Sequence, residues 1–314
     1  MPSRRDCDIA RDMGARSPDT TGSPGSPGSP GIAGGVRQRT APGALRRLRH
    51  SAERLRDLAW APAYALYESR LAWDISAGPL PGHVGLILDG NRRHARAYGL
   101  DQDGIYRVGA EKLDEILAWS AELGIGAVTL WVFSTDNAGR PAREVDGILG
   151  AVEAKMRALA ADPHIASRGV RLAAIGRREI LPPRLLEAID AAQAATLGAN
   201  RMTVTLAVGY GGREEIADAV RKLIEDGAAR GLAAEAIAAS VTPDSIRRHL
   251  YLADLPDPDL IIRTSGEIRL SGFMLWQSVH SELHFTDVNW PAFRRIDFLR
   301  AIRSYQRRAR RFGR

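Results

Sequence analysis

Residues 83–93 read HVGLILDGNRR, and this stretch decides how the chain folds. A short apolar run ends at Asp89 and is followed at once by a glycine, an asparagine and two arginines. The run predicts a buried β-strand, because it is short, apolar and bounded by turn-forming residues. The polar residues then stand at the carboxyl end of that strand.

Strands and helices alternate along the rest of the chain. Apolar runs predict further strands at Ala127–Phe133, Val170–Ile175, Met202–Val208, Leu260–Arg263 and Leu283–Phe285. Helical periodicity predicts helices at Ala110–Glu122, Arg143–Leu159, Pro183–Ala195 and Arg213–Glu225. The alternation predicts an α/β fold with a central, mostly parallel sheet covered by helices. In such sheets, ligands bind beyond the carboxyl ends of the strands.

The first part of the chain differs from the rest. Residues 1–43 contain a Gly-Ser-Pro repeat without core-forming side chains, which predicts a disordered tail. Residues 44–80 place leucines among arginines at helical spacing, which predicts an amphipathic helical lead-in to the domain at 81–314. The lead-in either packs on the domain or rests on anionic lipid, so peripheral membrane contact is one of two alternatives.

The composition excludes several classes of protein. The net charge is +7, but nine arginines and one aspartate lie between Phe293 and Arg314, and residues 1–57 add eleven basic against six acidic residues. Because the basic residues lie at the two ends and the body of the chain is acidic, we expect no nucleic-acid partner. The single cysteine, Cys7, excludes an intrachain disulfide and a cysteine-based zinc site. No apolar run reaches the ~18 residues of a membrane span, so we expect a cytoplasmic protein.

The first strand end carries phosphate and metal chemistry. Asp89 offers the hard oxygen ligands that Mg²⁺ prefers, and Gly90 lets backbone N–H groups approach a ligand. Arg92 and Arg93 can neutralise phosphate beside the positive end of the following helix. The alternative is a solvated turn in which Asp89 caps that helix.

A second set of polar residues follows the strand that ends at Phe133. Ser134, Thr135, Asp136 and Asn137, followed by Arg140, suit a diphosphate and a proton acceptor. The alternative is a capping box in which Ser134 and Thr135 open a helix.

A third set lies between residues 257 and 271. Arg263 and Arg269 flank hydroxyl- and glycine-rich backbone, which suits a second phosphate site, and Glu282 could supply another oxygen to the metal. The alternative is a surface loop. Neither GxxxxGK[ST] nor GxGxxG is present, so two phosphate sites and a metal indicate a pair of phosphorylated substrates rather than one nucleotide.

These segments resemble the cis-prenyltransferase (undecaprenyl diphosphate synthase) family from about Gly82 onward. The resemblance rests on HVGLILDGNRR (83–93), TLWVFSTDNAGRP (129–141), VGYGGRE (208–214) and the stretch 256–287. It implies a single catalytic domain over 81–314 with a six-stranded, mostly parallel sheet, a hydrophobic tunnel and a homodimeric assembly. It further implies Mg²⁺-dependent condensation of isopentenyl diphosphate with an allylic diphosphate.

The resemblance also implies roles for single residues. Asp89 matches the magnesium aspartate, Glu282 a second metal ligand, and Asn137 the proposed proton acceptor. The positions that match substrate-binding residues are Gly90, Asn91, Arg92, Arg93, His94, Tyr106, Ser134, Thr135, Asp136, Arg140, Arg263, Arg269, Leu270 and Ser271.

Several residues depart from the usual pattern of that family. His94, Gln102, Tyr106 and Ala138 replace residues that commonly lie near the allylic substrate, whereas His280 and His284 replace aromatic residues and are interpreted as structural.

Product length is predicted from one strand and from overall likeness. Trp131 and Val132 add bulk where long-chain members are small, without indicating which of the two faces the tunnel. The chain most resembles short-chain (2Z,6E)-farnesyl diphosphate synthases, which implies (2Z,6E)-farnesyl diphosphate made from geranyl diphosphate. The alternatives are a long-chain synthase for a cell-wall lipid carrier and a non-catalytic partner subunit.

Overall fold

The computed structural model describes residues 62–308 and shows one parallel sheet in the order β3-β4-β2-β1-β5-β6. Every neighbouring pair in that order is parallel. The strands are β1 (His83–Ile87), β2 (Ala127–Ser134), β3 (Val170–Ile175), β4 (Met202–Tyr210), β5 (Leu260–Arg263) and β6 (Glu282–Phe285). The α/β fold with a central sheet is confirmed, and the sheet is wholly parallel rather than mostly so.

Helices connect these strands and cover the sheet. In the described part of the chain they are α1 (62–76), α2 (Asn91–Tyr98), α3 (Gln102–Glu122), α4 (Ala142–Ala161), α5 (Pro163–Ser167), α6 (Pro183–Ala195), α7 (Gly212–Ala229), α8 (Ala234–Ser240), α9 (Pro243–His249) and α10 (Arg295–Arg307). The predicted disordered tail at 1–43 and the lead-in at 44–61 lie outside the described residues.

Local sequence explains where the principal elements begin and end. All five residues of β1 are buried, as expected for a strand covered on both faces. Helix α3 begins at Gln102, eight residues before the predicted start at Ala110. Its start is fixed by Asp101, whose carboxylate accepts the backbone N–H of Gly104 at 2.7 Å. Glycines and polar residues in the first turns of α3 had hidden this part of the helix from the periodicity.

The two faces of the sheet are packed differently. One face lies against α1, α3, α4, α6 and α10 and forms the larger apolar core, which includes Leu130 and Leu206. The opposite face carries Trp131, Tyr210 and Phe273 in a smaller aromatic cluster. Alternate residues of β2 point to opposite faces, so one strand contributes to both.

The described residues contain no helix that is both long enough and apolar enough to cross a lipid bilayer.

Candidate active site

The mouth of the site is built around Asp89, two residues beyond the end of β1. Its backbone N–H donates to the hydroxyl of Thr264 at 2.9 Å, and that hydroxyl donates to the carbonyl oxygen of Asp89 at 2.7 Å. The backbone N–H of Trp290 donates to the same carbonyl at 2.9 Å. Two distant parts of the chain therefore fix the backbone of Asp89, while its side chain remains 35% exposed.

Gly90 adopts a backbone conformation that excludes other residues. Its φ is +99°, in the left-handed half of the map, and a Cβ would lie 2.4 Å from the side-chain oxygen of Asn289. In this conformation the N–H of Gly90 donates to Asp89 Oδ1 at 2.7 Å. Helix α2 then begins at Asn91 and directs its positive end toward the site.

Arg263, the last residue of β5, joins the first and third sets of polar residues. Its Nη2 donates to Asp89 Oδ2 at 2.9 Å, and its Nη1 donates to Ser271 Oγ at 2.7 Å and to the carbonyl of Arg269 at 2.6 Å. The side chain is 6% exposed, and its Nε–H has no partner among the described residues. A buried cation with an unpaired N–H beside a carboxylate is suited to receive an anion.

The loop that follows Arg263 winds over the mouth with unusual backbone geometry. Ser265 has φ +79° and Ser271 has φ +50°, conformations that non-glycine residues rarely adopt. Arg93 of α2 stabilises the loop by donating to the carbonyl and hydroxyl of Ser265 and pairing with Glu267. Such strain persists only where surrounding contacts hold it, and it is concentrated at functional sites.

Glu144 organises the cations on the other side of the mouth. Its side chain is 6% exposed and accepts Arg140 Nη1 at 2.8 Å, with Arg92 Nε at 3.7 Å. The hydroxyl of Tyr106 donates to Glu144 at 3.2 Å. Burial, together with the nearby Glu144 carboxylate, raises the pKa of Tyr106 to about 12, so this hydroxyl remains a donor.

Ser134 and Asn137 form a reciprocal capping box at the end of β2. The N–H of Asn137 donates to Ser134 Oγ at 3.1 Å, and the N–H of Ser134 donates to Asn137 Oδ1 at 3.2 Å. The capping alternative is therefore present, with Asn137 rather than Thr135 as the partner. Asn137 also lines the cavity, so its role as proton acceptor stays a prediction.

A cavity of about 300 Å³ opens behind this mouth. Its polar and cationic lining consists of Asp89, Gly90, Asn91, Arg92, Arg93, Arg96, Tyr106, Asn137, Arg140 and Lys155. Its apolar lining includes Leu113, Leu130, Val132, Ile148, Val152 and Leu206. Val132 therefore faces the cavity, and Trp131 lies on the opposite face of the sheet, stacked on Phe273 with ring centroids 5.4 Å apart.

Glu282 does not lie beside Asp89 within the same chain, and its role as a second metal ligand stays a prediction. Strand β6 begins at Glu282, opposite Leu260 at the amino end of β5, whereas Arg263 lies opposite Ile87 at the carboxyl end. The carboxylates of Glu282 and Asp89 are thus separated by roughly 15 Å along the strand direction. Glu282 instead pairs with Arg308 at 2.8 Å.

Four other predicted residues, Leu270, His94, Thr135 and Asp136, do not line the cavity. Leu270 packs against the aromatic cluster on the opposite face. His94 stacks on Tyr98 with centroids 4.4 Å apart, and burial lowers its pKa. Thr135 and Asp136 belong to the short 3₁₀ helix Thr135–Gly139.

The departures from the usual family pattern are also placed by the structure. Ala138 lies in the same 3₁₀ helix, and Tyr106 contacts Glu144 as described above. For His284, burial lowers the pKa first and the Arg308 cation lowers it further, as expected for a structural histidine. His280 ends a short 3₁₀ helix before β6, and the side chain of Gln102 lies outside the described part of the structure.

Most of the apolar lining was not among the predicted site residues, and neither were four polar or aromatic residues: Glu144, Arg96, Lys155 and Trp290. The spacing of Arg140 and Glu144, four apart at a helix start, is a signal that could have indicated an ion pair. Trp290 is nearly fully buried, and its Nε1 donates to the carbonyl of Gly109 at 2.9 Å, a contact that spacing alone does not reveal.

The Asp89 carboxylate fits a magnesium ion that is shared with a diphosphate. Mg²⁺ in proteins is commonly held by one or two carboxylates, with substrate phosphates and water as the other ligands. Asp89 provides a backbone-fixed, partly exposed hard-oxygen ligand, whereas the described residues hold no cluster of three or more His, Cys, Asp or Glu side chains. The donor set fits that kind of ion rather than one enclosed by protein ligands.

Residues 87–313 match the family model described as putative undecaprenyl diphosphate synthase. An isoprenyl transferase of Thermus thermophilus is 53% identical over 253 residues, covering 81% of this chain and 96% of the relative. A (2Z,6E)-farnesyl diphosphate synthase of Thermobifida fusca is 50% identical and covers 80% and 97%. A tritrans,polycis-undecaprenyl-diphosphate synthase (geranylgeranyl-diphosphate specific) of Methanopyrus kandleri is 46% identical and covers 81% and 92%.

A solved structure shows the same architecture. Lavandulyl diphosphate synthase from Lavandula x intermedia, in complex with dimethylallyl diphosphate, superposes with a TM-score of 0.68 and 33% identity. The match covers 75% of this chain and 99% of that one.

Proposed function

The chain belongs to the undecaprenyl diphosphate synthase family of cis-prenyltransferases, and we propose that it joins isopentenyl diphosphate to geranyl diphosphate to make (2Z,6E)-farnesyl diphosphate. Membership of this family shows that the chain is a prenyltransferase. The starter, the chain length and the dependence on Mg²⁺ are the parts that we propose.

One observation carries the proposal: the cavity has a cationic mouth beside a carboxylate and an apolar interior. A prenyl diphosphate has the same two parts, an anionic head and a hydrocarbon chain. The apolar walls also keep water from an allylic cation, which water would otherwise trap.

Two groups of cations support two diphosphate sites. Arg92, Arg93 and Arg140 lie around the start of α2 and would bind the allylic diphosphate. Arg263 and Arg269, with Ser271, lie on the other side of Asp89 and would bind isopentenyl diphosphate. The diphosphates of the two substrates would then lie on either side of Asp89.

Asp89 would hold the magnesium ion. When bound, Mg²⁺ supplies Lewis-acid stabilisation of the negative charge that develops on the departing diphosphate. The chain adds positioned donors, since Arg263 lies 2.9 Å from Asp89 and the backbone around Gly90 is locked.

The new carbon–carbon bond forms as the alkene of isopentenyl diphosphate attacks the allylic carbon and diphosphate leaves. A proton is then lost from the isopentenyl unit to give the Z double bond. We propose that Asn137 receives or relays this proton, because it lines the cavity and its amide is fixed by Ser134.

The short product is supported by Val132, which narrows the cavity, and by the likeness to the Thermobifida enzyme. The runner-up is a long-chain synthase, and the likeness to the Methanopyrus enzyme favours it.

We also propose a homodimer, peripheral membrane contact and a cytoplasmic location. The outer edge of β6 has no neighbouring strand among the described residues, so a second copy has an edge to approach. Leu66 and Trp73, seven residues apart on α1, are 74% and 76% exposed and could rest on lipid.

The test is a product assay with labelled isopentenyl diphosphate and geranyl, farnesyl or geranylgeranyl diphosphate as starter, with and without a chelator. We expect farnesyl diphosphate from the geranyl starter, formed only with Mg²⁺. A ladder of many added units would refute the short-chain proposal, and unchanged turnover after chelation would refute the magnesium proposal.

A further inference from the structure

A second hollow lies between α3 and α4, below the cavity of the site. It is a groove of about 680 Å³ at the amino ends of β3 and β4, with Leu117 and Leu159 in its wall. Its presence matters because the growing product must extend somewhere as isoprene units are added.

The two hollows follow one another along the same pair of helices. On α3, Leu113 lines the cavity and Leu117, one turn later, lines the groove. On α4, Val152 lines the cavity and Leu159 lines the groove. Both helices begin near the mouth, so a chain that fills the cavity is directed toward the groove.

Lys155 stands where the two hollows meet, because it lines both of them. Its Nζ lies 2.5 Å from Asp114 Oδ1, so the ion pair joins α4 to α3. The lysine side chain is only 13% exposed, whereas that of Asp114 is 60% exposed. The Lys155–Asp114 pair therefore forms a polar partition between the cavity and the groove, and the aliphatic part of the lysine side chain lies on its apolar side.

The position of this partition suits a product of three isoprene units. Lys155 follows Glu144, at the mouth, by eleven residues of α4, which is about 16 Å along a helix. An extended farnesyl chain is of comparable length. A fourth unit would have to displace the ammonium group and lie against a charge that apolar carbon cannot solvate.

We propose that the Lys155–Asp114 ion pair is a specificity-determining element that stops chain growth at the end of the cavity. This inference rests on the proposed prenyl transfer and deepens it by assigning the chain-length limit to a pair of charged residues. Val132 narrows the cavity from the sheet side, whereas the ion pair closes its far end.

The experiment compares Lys155→Ala with the wild type, using labelled isopentenyl diphosphate and geranyl diphosphate. We expect the ratio of products longer than farnesyl diphosphate to farnesyl diphosphate itself to rise roughly tenfold. Lys155→Arg, which keeps the cation, should retain the wild-type product.

Arg157→Ala is the matched control. Arg157 lies two residues further along α4, pairs with Glu153 at 3.1 Å and is 51% exposed, and it lines neither hollow. It should leave the product pattern unchanged. If Lys155→Ala folds poorly, Asp114→Asn provides a second variant, because it removes the ion-pair partner of the lysine. It should raise the ratio of longer products to farnesyl diphosphate, but to a smaller extent.

A binding measurement separates failure of this inference from failure of the proposed function. The ratio of the Kd for geranylgeranyl diphosphate to that for farnesyl diphosphate should fall roughly tenfold in Lys155→Ala, whether or not the protein turns over. Wild-type protein that makes no prenyl product would reject the proposed function alone. An unchanged product ratio and Kd ratio in both variants, or a long ladder from the wild type, would overturn the role of the ion pair.

Discussion

Trp131 and Val132 are consecutive residues of β2, yet they belong to two differently built faces of the sheet. Trp131 is packed between Tyr210 and Phe273 on a face that is filled with rings. Val132 lies on the other face and borders a cavity of about 300 Å³. Close packing is the normal state of a protein interior, so the hollow face departs from it and the filled face does not.

The comparison shows that stability and chemistry are carried by different sides of one sheet. The filled face also holds Glu215, whose buried carboxylate accepts the Tyr210 hydroxyl at 2.6 Å and the N–H of Tyr251 at 3.0 Å. Burial raises the pKa of Glu215, which lines neither the cavity of the site nor the groove below it. Substitutions on the two faces should therefore have separable effects.

The largest effect is expected at the mouth of the hollow face. Asp89→Asn keeps the size of the side chain and an oxygen that can accept the N–H of Gly90, but it removes the charge that would hold a cation. Turnover should fall about 10³-fold or more, measured as kcat/KM for isopentenyl diphosphate. Thermal unfolding serves as the control and should shift by only a few degrees, whereas retained turnover would remove Asp89 from the chemistry.

The next effect is on the filled face. Trp131→Ala removes a nearly buried ring and the hydrogen bond from its Nε1 to the carbonyl of Tyr210, 3.2 Å long. The free energy of unfolding should fall by about 3–5 kcal/mol, measured by urea denaturation. The ratio of products formed by the protein that remains folded should stay as in the wild type. A change in product length with little loss of stability would contradict the division between the faces.

The next prediction concerns Val132, the residue after Trp131 in β2. Its substitution should cost little stability but should change the length of the product. Val132→Ala enlarges the cavity at a cost of about 1 kcal/mol of stability, and the share of product with one extra isoprene unit should rise severalfold. Val132→Phe fills part of the cavity and should lower the yield of farnesyl diphosphate from the geranyl starter. Mass analysis of the products of both variants tests the comparison between the faces. Substitution of Trp131, on the filled face, should not change the length of the product.

The smallest effect is expected in the pH dependence of stability, at Asp218 on the filled face. Burial opposes ionisation of Asp218, but hydrogen bonds from Arg177, Tyr251 and Arg221 outweigh it and lower the pKa to about 2, from 3.8. The lowered pKa contributes stability that is fully present above pH 3.8 and is lost as the pH falls toward 2. Asp218→Asn should therefore lose roughly 1 kcal/mol at neutral pH, with the difference from wild type disappearing near pH 2. A constant difference across that range in urea titrations would contradict this assignment.

The regular elements were largely predictable from the sequence, because buried parallel strands are short apolar runs. Val170–Ile175 and Leu260–Arg263 were predicted with the bounds that the structure shows. The three polar strand ends were also predictable as one site, since parallel strands present their carboxyl ends at one edge. The bond between Asp89 and Arg263 agrees with that prediction.

The remaining features depend on register and on distant contacts. Glu282 and Phe285 are three residues apart, and only the register of β6 shows that the glutamate lies at the amino edge. The orientation of Trp131 and Val132 could not be assigned from the sequence, because the pairing of β2 with β4 shifts between Trp131 and Phe133. Spacing alone also did not show that Glu144 collects cations from α2 as well as from its own helix.

The locked backbone at Asp89 has a consequence for biosynthesis. The groups that hold it come from Thr264 and Trp290, and the guanidinium that pairs with it lies 174 residues later in the chain. During synthesis, a nascent chain emerges with β1 and α2 long before these partners exist. The reactive pocket is therefore completed only after Trp290 has left the ribosome, so a fragment released before that point would contain the aspartate without all the neighbours that position it.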